Sequence, residues 1–316
     1  MSIKKINILT PYRKGGPWFW GETLVNKINR SSPLEFQGEH IYKLFDLLSS
    51  PIYQDCDIVH ATVPISYRLW RKPVILTVKG NYLIENNIWK PFFPKAIDKA
   101  DIVTTPSQYL KEEVGFDKAI VIPNAIDIDK FTITDLQDRE DINIITMTKF
   151  YFEDKARGVL TILKILNELP EPAKKRINYY ILGKGKFLEN IIKESWKFSV
   201  KHSFVGWQDP QNFFSKSDLF LYYSEHDNMP NAVLEAMASG LPVITNQVGA
   251  VREMIDNKQD GFIAQNEEEY RNHFLSLIEN FSLRKQIGQR ARKKIEERFN
   301  WDVIIWDYIK LYRSLV

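Results

Sequence analysis

The stretch LFLYYSEHDNMPNAVLEAMASGLPVIT, residues 219–245, decides the fold. Its first five residues form an apolar run that predicts a buried strand, and its last four predict a second strand. Between them, Pro230 suits the first turn of a helix over Asn231–Ser239, because its missing N–H would have no intrahelical partner there. Gly240 is the residue type that ends a helix in the left-handed conformation. The stretch therefore predicts a strand–loop–helix–strand unit of an α/β domain.

The same alternation of strands and helices runs through the rest of the chain. Nearly continuous apolar runs predict further buried strands at Ile6–Thr10, Ile58–Ala61, Val74–Val78, Ile102–Thr104, Ile120–Ile122, Ile142–Met147 and Tyr179–Leu182. Ser107 is placed to cap a helix that reaches Glu113. We predict two doubly wound, Rossmann-like α/β domains.

A polar segment without clear periodicity, residues 132–141, indicates the domain boundary. We therefore predict an N-terminal domain over residues 1–133 and a C-terminal domain over residues 134–300. The last helix, residues 301–316, places Trp301, Ile304, Ile305, Tyr308, Leu311, Tyr312 and Leu315 on one face. A basic stretch from Arg284 to Lys294 precedes it. We interpret this stretch as a solvated helix face opposite an apolar stripe of Ile287, Ala291 and Ile295, with a membrane-binding surface as the alternative.

Composition excludes several classes of protein. The chain has 316 residues, of which 44% are hydrophobic and 26% charged, so it can bury a core and is not disordered. A formal net charge of +3 does not predict nucleic-acid binding. The single cysteine, Cys56, excludes an internal disulfide framework and a cysteine-based zinc site. No signal peptide or membrane span is evident. We expect a cytoplasmic protein, with contact to the inner face of the membrane left open.

The loop and helix after the strand at residue 219 predict a ligand site. The N–H groups of Asn231, Ala232 and Val233 open the helix, and such groups attract phosphate. Asp227 in the loop and Glu235 in the helix could hold the hydroxyls of a bound polyol between them. In open α/β sheets, ligands bind at this carboxyl edge.

This segment resembles the signature of family 4 glycosyltransferases, which are retaining enzymes of the GT-B fold with two Rossmann-like domains facing each other across a cleft. The matching residues run from Asp227 to Ala238, with Asp227 in place of the family's first glutamate and Glu225 close by as an alternative first acid. The resemblance implies that Glu235 holds the ribose of a nucleotide-sugar and that Asp227 faces the donor sugar. It also implies that the loop and helix start contact the donor sugar and diphosphate through Asn228, Met229, Pro230, Asn231, Ala232 and Val233.

Other segments carry the same resemblance. Thr148-Lys149-Phe150 and Arg157-Gly158 resemble the stretch whose two basic side chains clamp the donor diphosphate, with the order of lysine and arginine swapped. Gly183 and the pair Gly206-Trp207 match glycine-rich and base-bordering segments of the donor site. In the first domain, Gly15 and Gly16 resemble a Gly-Gly loop near the donor. Lys79 stands where the family commonly has a histidine that touches the donor sugar. His60 is interpreted as a hydrogen-bonded structural residue.

We therefore expect a retaining glycosyltransferase that moves a sugar from a nucleotide-diphosphate sugar to an acceptor hydroxyl, with Asp227, Lys149 and Arg157 as catalytic residues. No metal or other cofactor is expected, and the acceptor is a carbohydrate, a lipid-linked molecule or a small molecule. A non-catalytic nucleotide-sugar-binding protein and a GT-B epimerase or phosphorylase remain alternatives. A Rossmann oxidoreductase is disfavoured, because no G-x-G-x-x-G follows the first strand.

Overall fold

The computed structural model describes residues 2–11, 15–48, 55–70, 73–84 and 88–316. The chain divides into two compact units, residues 1–125 with 301–316 and residues 126–300. Each unit contains a parallel sheet covered by helices, which confirms the prediction of two doubly wound α/β domains. Residues 12–14 of the predicted Gly-Gly loop lie outside the described residues.

The division between the units falls at residues 125 and 126, whereas polarity placed it at 133 and 134. The N–H of Ile126 donates to the carbonyl of Phe299 at 2.7 Å, and Thr134 donates through its N–H to Ser239 at 2.8 Å. The hydroxyl of Thr134 also donates to the carbonyl of Phe214 at 3.0 Å. These contacts anchor the polar segment to the second unit, and nothing in the local composition signals such long-range bonds.

The first domain has a parallel sheet in the order β2-β1-β3-β4-β5-β6 over its described residues. Its strands are β1 Lys4–Leu9, β2 Phe36–Ile41, β3 Ile58–Ala61, β4 Val74–Thr77, β5 Ile102–Thr105 and β6 Ile120–Val121. The helices are α1 Gly16–Ser31, α2 Leu44–Leu48, α3 Phe93–Lys99 and α4 Gln108–Glu113. Strands β3 and β4 are buried along their whole length, as their apolar runs predict. Ser107 caps α4 by accepting from the N–H of Leu110 at 3.0 Å, also as predicted.

The second domain has a parallel sheet in the order β12-β11-β10-β7-β8-β9. Its strands are β7 Ile142–Lys149, β8 Ile177–Lys184, β9 His202–Gly206, β10 Leu219–Tyr222, β11 Val243–Asn246 and β12 Phe262–Ala264. Its helices are α5 Glu153–Asn167, α6 Glu171–Lys175, α7 Leu188–Ser195, α8 Gln211–Phe214, α9 Asn231–Ala238, α10 Val251–Met254, α11 Glu267–Glu279 and α12 Phe281–Arg298. From β7 the chain continues to β8 and β9 on one side of the sheet, and from β10 it continues to β11 and β12 on the other side. Strand order therefore reverses between β7 and β10, which is where doubly wound folds bind their ligands.

The final helix, α13 Trp301–Arg313, belongs to the first domain. Its predicted apolar face is buried at Trp301, Ile304, Ile305, Tyr308 and Tyr312, together with Ile309, while Leu311 and Leu315 are half-buried. Lys27 Nζ on α1 lies 2.6 Å from Asp302 Oδ1 on α13, so an ion pair joins the two helices. The side chains that the 3.6-residue period selects thus complete the core of the first domain.

The basic stretch before α13 lies on α12 and packs as the apolar stripe predicts. Ile287, Ala291 and Ile295 are fully buried. Arg284 is also buried, because its guanidinium donates to the carbonyls of Leu277 and Ile278 at the end of α11. Part of the stretch therefore closes a helix end inside the second domain. Cys56 is buried in the first domain, as expected for a core residue.

Two glycines mark places where the backbone needs the smallest residue. Gly240 has a φ of +74°, which confirms the predicted left-handed end of α9. Gly158 lies in α5, and a Cβ atom there would be 1.9 Å from the carbonyl oxygen of Tyr223. The absence of a side chain at Gly158 lets the start of α5 approach the end of β10.

We expect Gly158→Ala to lower the free energy of unfolding of the second domain by about 1–3 kcal/mol, because the added methyl group overlaps a backbone carbonyl. The gain in helix propensity, roughly 1 kcal/mol, is too small to offset this overlap. Urea denaturation measures the change. The control is Gly16→Ala, where a Cβ would meet no atom within 4 Å, so we expect a change of about 0.5 kcal/mol or less. Equal losses for both variants would contradict the packing argument.

Candidate functional site

The carboxyl ends of β7 and β10 hold most of the residues that the sequence assigns to a donor site. Lys149 is the last residue of β7, and α5 begins at Glu153 after a short loop. Residues 223–230 connect β10 to α9, which carries Glu235. Because all these strands are parallel, their carboxyl ends share one edge of the sheet.

Glycines hold the neighbouring loops against this edge. A Cβ at Gly183 would be 2.0 Å from the carbonyl oxygen of Thr148, and its φ is +146°. A Cβ at Gly249 would be 2.2 Å from the carbonyl oxygen of Asp227. The N–H of Ala250 donates to the carbonyl of Asn228 at 2.7 Å. The end of β8 therefore lies directly against the end of β7, which carries Lys149, and the loop after β11 lies against the loop that carries Asp227.

Asp227 is the centre of a hydrogen-bonded cluster. One of its oxygens, Oδ2, accepts from Lys155 Nζ at 2.6 Å and from the hydroxyl of Tyr222. The other, Oδ1, accepts from the N–H of Asn228 at 2.8 Å. The Lys155 and Asp227 side chains are only 20% and 11% exposed, so solvent screens this ion pair weakly. Burial, followed by the charge of Asp227, raises the pKa of Tyr222, which keeps its hydroxyl a donor.

Lys155 is a residue that the sequence reasoning missed, and Arg157 is one that the structure leaves outside the cluster. Arg157 is exposed, and no described carboxylate lies within ion-pairing distance of it. Successive helical residues are about 100° apart, so Arg157 points away from the face of α5 that carries Lys155 and Gly158. Gly158 could have indicated Lys155, because a glycine in a helix often marks the face that packs closely against a neighbour. Here that neighbour is the end of β10, and Lys155 lies one turn away on the same face.

The charges of Lys149 and Glu235 act on each other at this edge, and each shifts the pKa of the other. Burial raises the pKa of Glu235 to about 7, and the positive charge of Lys149 opposes that shift. Lys149 keeps solvent-accessible surface, but surrounding protein atoms and then the ammonium of Lys155 lower its pKa, while Asp227 and Glu235 raise it. Two ammonium groups and two carboxyl groups thus share a partly shielded edge of the sheet.

The start of α9 differs in one respect from the sequence interpretation. Val233 was expected to offer its N–H to a ligand, but that N–H donates to the carbonyl of Pro230 at 3.0 Å. A tight first turn uses this group internally, and the Val233 side chain is buried. Of the other predicted contacts, Met229 and Pro230 are buried, Asn228 and Ala232 are half-buried, and Asn231 is exposed.

Gly206 and Trp207 lie at the end of β9, beside β8. Gly206 has a φ of +70°, and a Cβ there would meet no atom within 4 Å. The Trp207 side chain is exposed, and Lys184 Nζ lies 5.3 Å from its ring centroid. The pair provides a flat aromatic surface with an adjacent positive charge at the same edge of the sheet.

The remaining predicted site residues belong to the first domain. Gly15 precedes α1 in an extended conformation, and its carbonyl accepts from the N–H of Phe19 at 3.0 Å. Gly16 begins the helix. Lys79 follows β4, with its Nζ 3.2 Å from Asn124 Oδ1 and 4.3 Å from the ring centroid of Trp20. His60 is buried and hydrogen-bonded, as expected for a structural residue.

The described ranges lack two features that the sequence analysis considered. No group of three or more His, Cys, Asp or Glu side chains in those ranges could hold a metal ion. Among the described helices, none has both the length and the apolar character needed to span a membrane.

The chain is similar to known proteins. A family model described as glycosyl transferases group 1 matches residues 135–294. An uncharacterized glycosyltransferase of Methanocaldococcus jannaschii is 25% identical over 252 residues, which are 75% of this chain and 64% of that protein. N-acetyl-alpha-D-glucosaminyl L-malate synthase of Bacillus anthracis is 30% identical over 116 residues, which are 36% of this chain and 30% of the synthase. Both matches span less than two thirds of the relative's length.

Solved structures resemble the whole chain. A glycosyltransferase from Rickettsia africae has a TM-score of 0.80 at 18% identity, over 100% of this chain and 99% of that one. Anabaena HepE in complex with UDP-glucose has a TM-score of 0.76 at 15% identity, over 99% of this chain and 100% of that one. The common architecture is the two-domain, Rossmann-like GT-B fold.

The raised pKa of Glu235 predicts a stability that depends on pH. Between its ordinary value of 4.5 and about 7, the unfolded chain releases this proton while the folded chain retains it. Stability contributed by the protonated carboxyl group is therefore lost as the pH rises through this range. Because the side chain keeps some solvent access, we expect a loss of about 1–2 kcal/mol relative to Glu235→Gln. Urea denaturation of both proteins across this range measures it, and a constant difference would contradict the assignment.

Proposed function

The chain belongs to the glycosyl transferases group 1 family, and we propose that it transfers a sugar from a nucleotide-diphosphate sugar to an acceptor hydroxyl with retention of anomeric configuration. The observation that carries this proposal is the pair of ammonium groups, Lys149 and Lys155, where strand order reverses between β7 and β10. A diphosphate is the substrate group whose charge this pair matches.

Asp227 acts in this proposal as a positioning residue. Its carboxylate already accepts from Lys155, Tyr222 and the N–H of Asn228, so it has little capacity left for sugar hydroxyls. The cluster instead holds the Lys155 ammonium at the sheet edge before the donor binds. Such preorganisation lowers the cost of stabilising charge as it develops on the departing phosphate.

Glu235 and Trp207 would contact the ribose and the nucleobase of the donor. A half-buried carboxyl group on α9 can bond the hydroxyls of the donor ribose, as the resemblance implies for Glu235. Trp207 offers a face on which a nucleobase could stack, next to the positive charge of Lys184. Asn228, Asn231 and the neighbouring backbone would contact the donor sugar and diphosphate.

The reaction exchanges one bond at the anomeric carbon for another. The bond from that carbon to the diphosphate oxygen breaks, and a bond to the acceptor oxygen forms on the same face of the sugar. The acceptor proton passes to the departing phosphate oxygen, so the products are a glycoside and a nucleoside diphosphate. Because Lys149 and Lys155 supply positive charge, we propose that transfer needs no resident metal ion, and that it persists in EDTA.

The class of acceptor is proposed from a relative and not from the site. The Rhizobium meliloti relative is named a lipopolysaccharide core biosynthesis glycosyltransferase, and it is 23% identical over 54% of this chain. We propose a carbohydrate or lipid-linked acceptor, used in the cytoplasm, with peripheral contact to the membrane where the acceptor is lipid-linked. The UDP-glucose complex of HepE makes uridine diphosphate sugars the first donors to screen.

Lys155→Ala and Arg157→Ala separate the two cations that could complete the diphosphate site. We expect the Lys155 change to lower kcat/KM for transfer by at least about tenfold, or 1.4 kcal/mol, because Lys155 faces Asp227 and the strand ends. The Arg157 change removes an exposed side chain on another face of the same helix, so we expect a smaller loss. Steady-state transfer assays with the best donor from the screen measure both.

Circular dichroism and unfolding midpoints control for misfolding of either variant. A larger loss for Arg157→Ala would show that the diphosphate is held on the other face of α5. Donor binding without transfer to any acceptor would favour a non-catalytic binding protein. Epimerised donor, or inorganic phosphate as co-substrate, would instead favour the epimerase or phosphorylase alternative.

The stereochemistry of the product gives an independent test. From a donor with an α-linked sugar, we expect an α-linked product, because in the proposed reaction the acceptor oxygen bonds to the face of the sugar from which the diphosphate departs. Proton NMR of the purified product distinguishes the anomers through the coupling constant of the anomeric proton. A β-linked product would show that transfer inverts the configuration.

A further inference from the structure

Lys79 places an amino group at the carboxyl edge of the first sheet. It follows β4, and its Nζ lies 4.3 Å from the ring centroid of Trp20 and 3.2 Å from Asn124 Oδ1. No carboxylate among the described residues lies within ion-pairing distance of it. Its side chain is half-buried, so water compensates its charge only in part.

The described side chains in contact with Lys79, those of Trp20 and Asn124, are neutral. Trp20 is buried and meets the ring of His60 edge to face at 5.2 Å. Both ring nitrogens of His60 are bonded, to the Tyr312 hydroxyl at 2.8 Å and to Thr77 Oγ1 at 2.7 Å. Burial, with a smaller contribution from the charge of Lys79, lowers the pKa of His60 to about 3, so the imidazole is neutral. The wall behind the ammonium therefore supplies no opposing charge.

The position of Lys79 suits a ligand contact better than a purely structural role. Burial lowers the pKa of Lys79 to about 7, so the group is only partly charged near neutral pH and a bound oxyanion would stabilise its charged form. The aliphatic stem alone could cover Trp20, and a methionine would do so without placing a charge there. An ammonium has three N–H groups, and Asn124 accepts one of them. An incoming anion would supply the missing charge and accept the remaining N–H groups.

We propose that Lys79 receives an anionic group of a substrate, a carboxylate or a phosphate, and selects for substrates that carry one. The proposal deepens the proposed function, since it assumes that the substrates are sugars. The anion could belong to the transferred sugar, as in a uronate donor, or to the acceptor, as in a phosphorylated or acidic sugar. In both cases the recognised chemistry is an oxyanion beside a sugar ring.

Matched pairs of ligands test the proposal by calorimetry. The donor pair is UDP-glucuronate and UDP-glucose, which differ in the carboxylate of the sugar. The acceptor-side pairs are glucuronate against glucose and glucose 6-phosphate against glucose, each titrated with saturating UDP present. We expect the wild-type protein to prefer the anionic member of one donor or acceptor pair by at least about tenfold.

Two variants assign that preference to Lys79. Lys79→Met keeps a side chain over Trp20 without its charge, and we expect it to bind both members of the preferred pair equally. Lys79→Arg keeps the charge, and we expect it to retain part of the preference. A preference in the donor pair places the anion on the transferred sugar, and one in the acceptor-side pairs places it on the acceptor.

The proposal is overturned if the wild-type protein discriminates in none of the pairs, a result that needs no variant to fold. It is also overturned if Lys79→Met keeps the full preference. Binding of UDP alone, measured in parallel, reports on the second domain. Loss of UDP binding with preserved discrimination among free sugars would therefore count against the proposed function and not against the role of Lys79.

Discussion

Contact between backbones at the carboxyl edge of the second sheet is the constraint on which the site depends. Gly158 lets α5 approach the end of β10, and Gly183 lets the end of β8 lie against the end of β7. Gly249 does the same for the loop after β11 against Asp227. A methyl group at any of these positions would overlap a carbonyl oxygen. Packing of the main chain therefore holds these segments in place and fixes the positions of the charged side chains that they carry.

The charges at this edge are balanced in a way that favours an anionic ligand. Lys155 forms an ion pair with Asp227, and the charge of Lys149 interacts with Glu235, whose pKa burial raises to about 7. A carboxyl group that is partly protonated near neutral pH does not fully compensate Lys149. The edge thus keeps positive charge available for an anionic ligand, while burial, followed by the charge of Lys155, lowers the pKa of Lys149. In the first domain, Lys79 instead contacts two neutral side chains, those of Trp20 and Asn124.

Much of the fold could be predicted from the sequence, because buried parallel strands leave nearly continuous apolar runs. Strands β3 and β4 are examples. Strand β2 was missed, since its sequence FQGEHI alternates polar and apolar residues. It lies at the edge of the sheet with several residues exposed, so it has no continuous apolar run. The limits of the two units escaped prediction for a different reason, since Ile126 and Thr134 are anchored by residues far along the chain.

By itself, the sequence determined the α/β alternation and predicted a ligand site around residues 223–235. Both follow from local features, namely hydrophobic runs, a helix start and residue types at short spacing. The two cations near the end of β7 were implied by the resemblance to a glycosyltransferase family. Only the tertiary structure decided which cation of α5 contacts Asp227. Lys155 and Arg157 are two residues apart, and each is a reasonable partner for a phosphate in a linear sequence. The helical rotation of about 100° per residue turns Lys155 toward Asp227 and Arg157 toward solvent, and the contact of Gly158 with β10 sets the phase of that rotation.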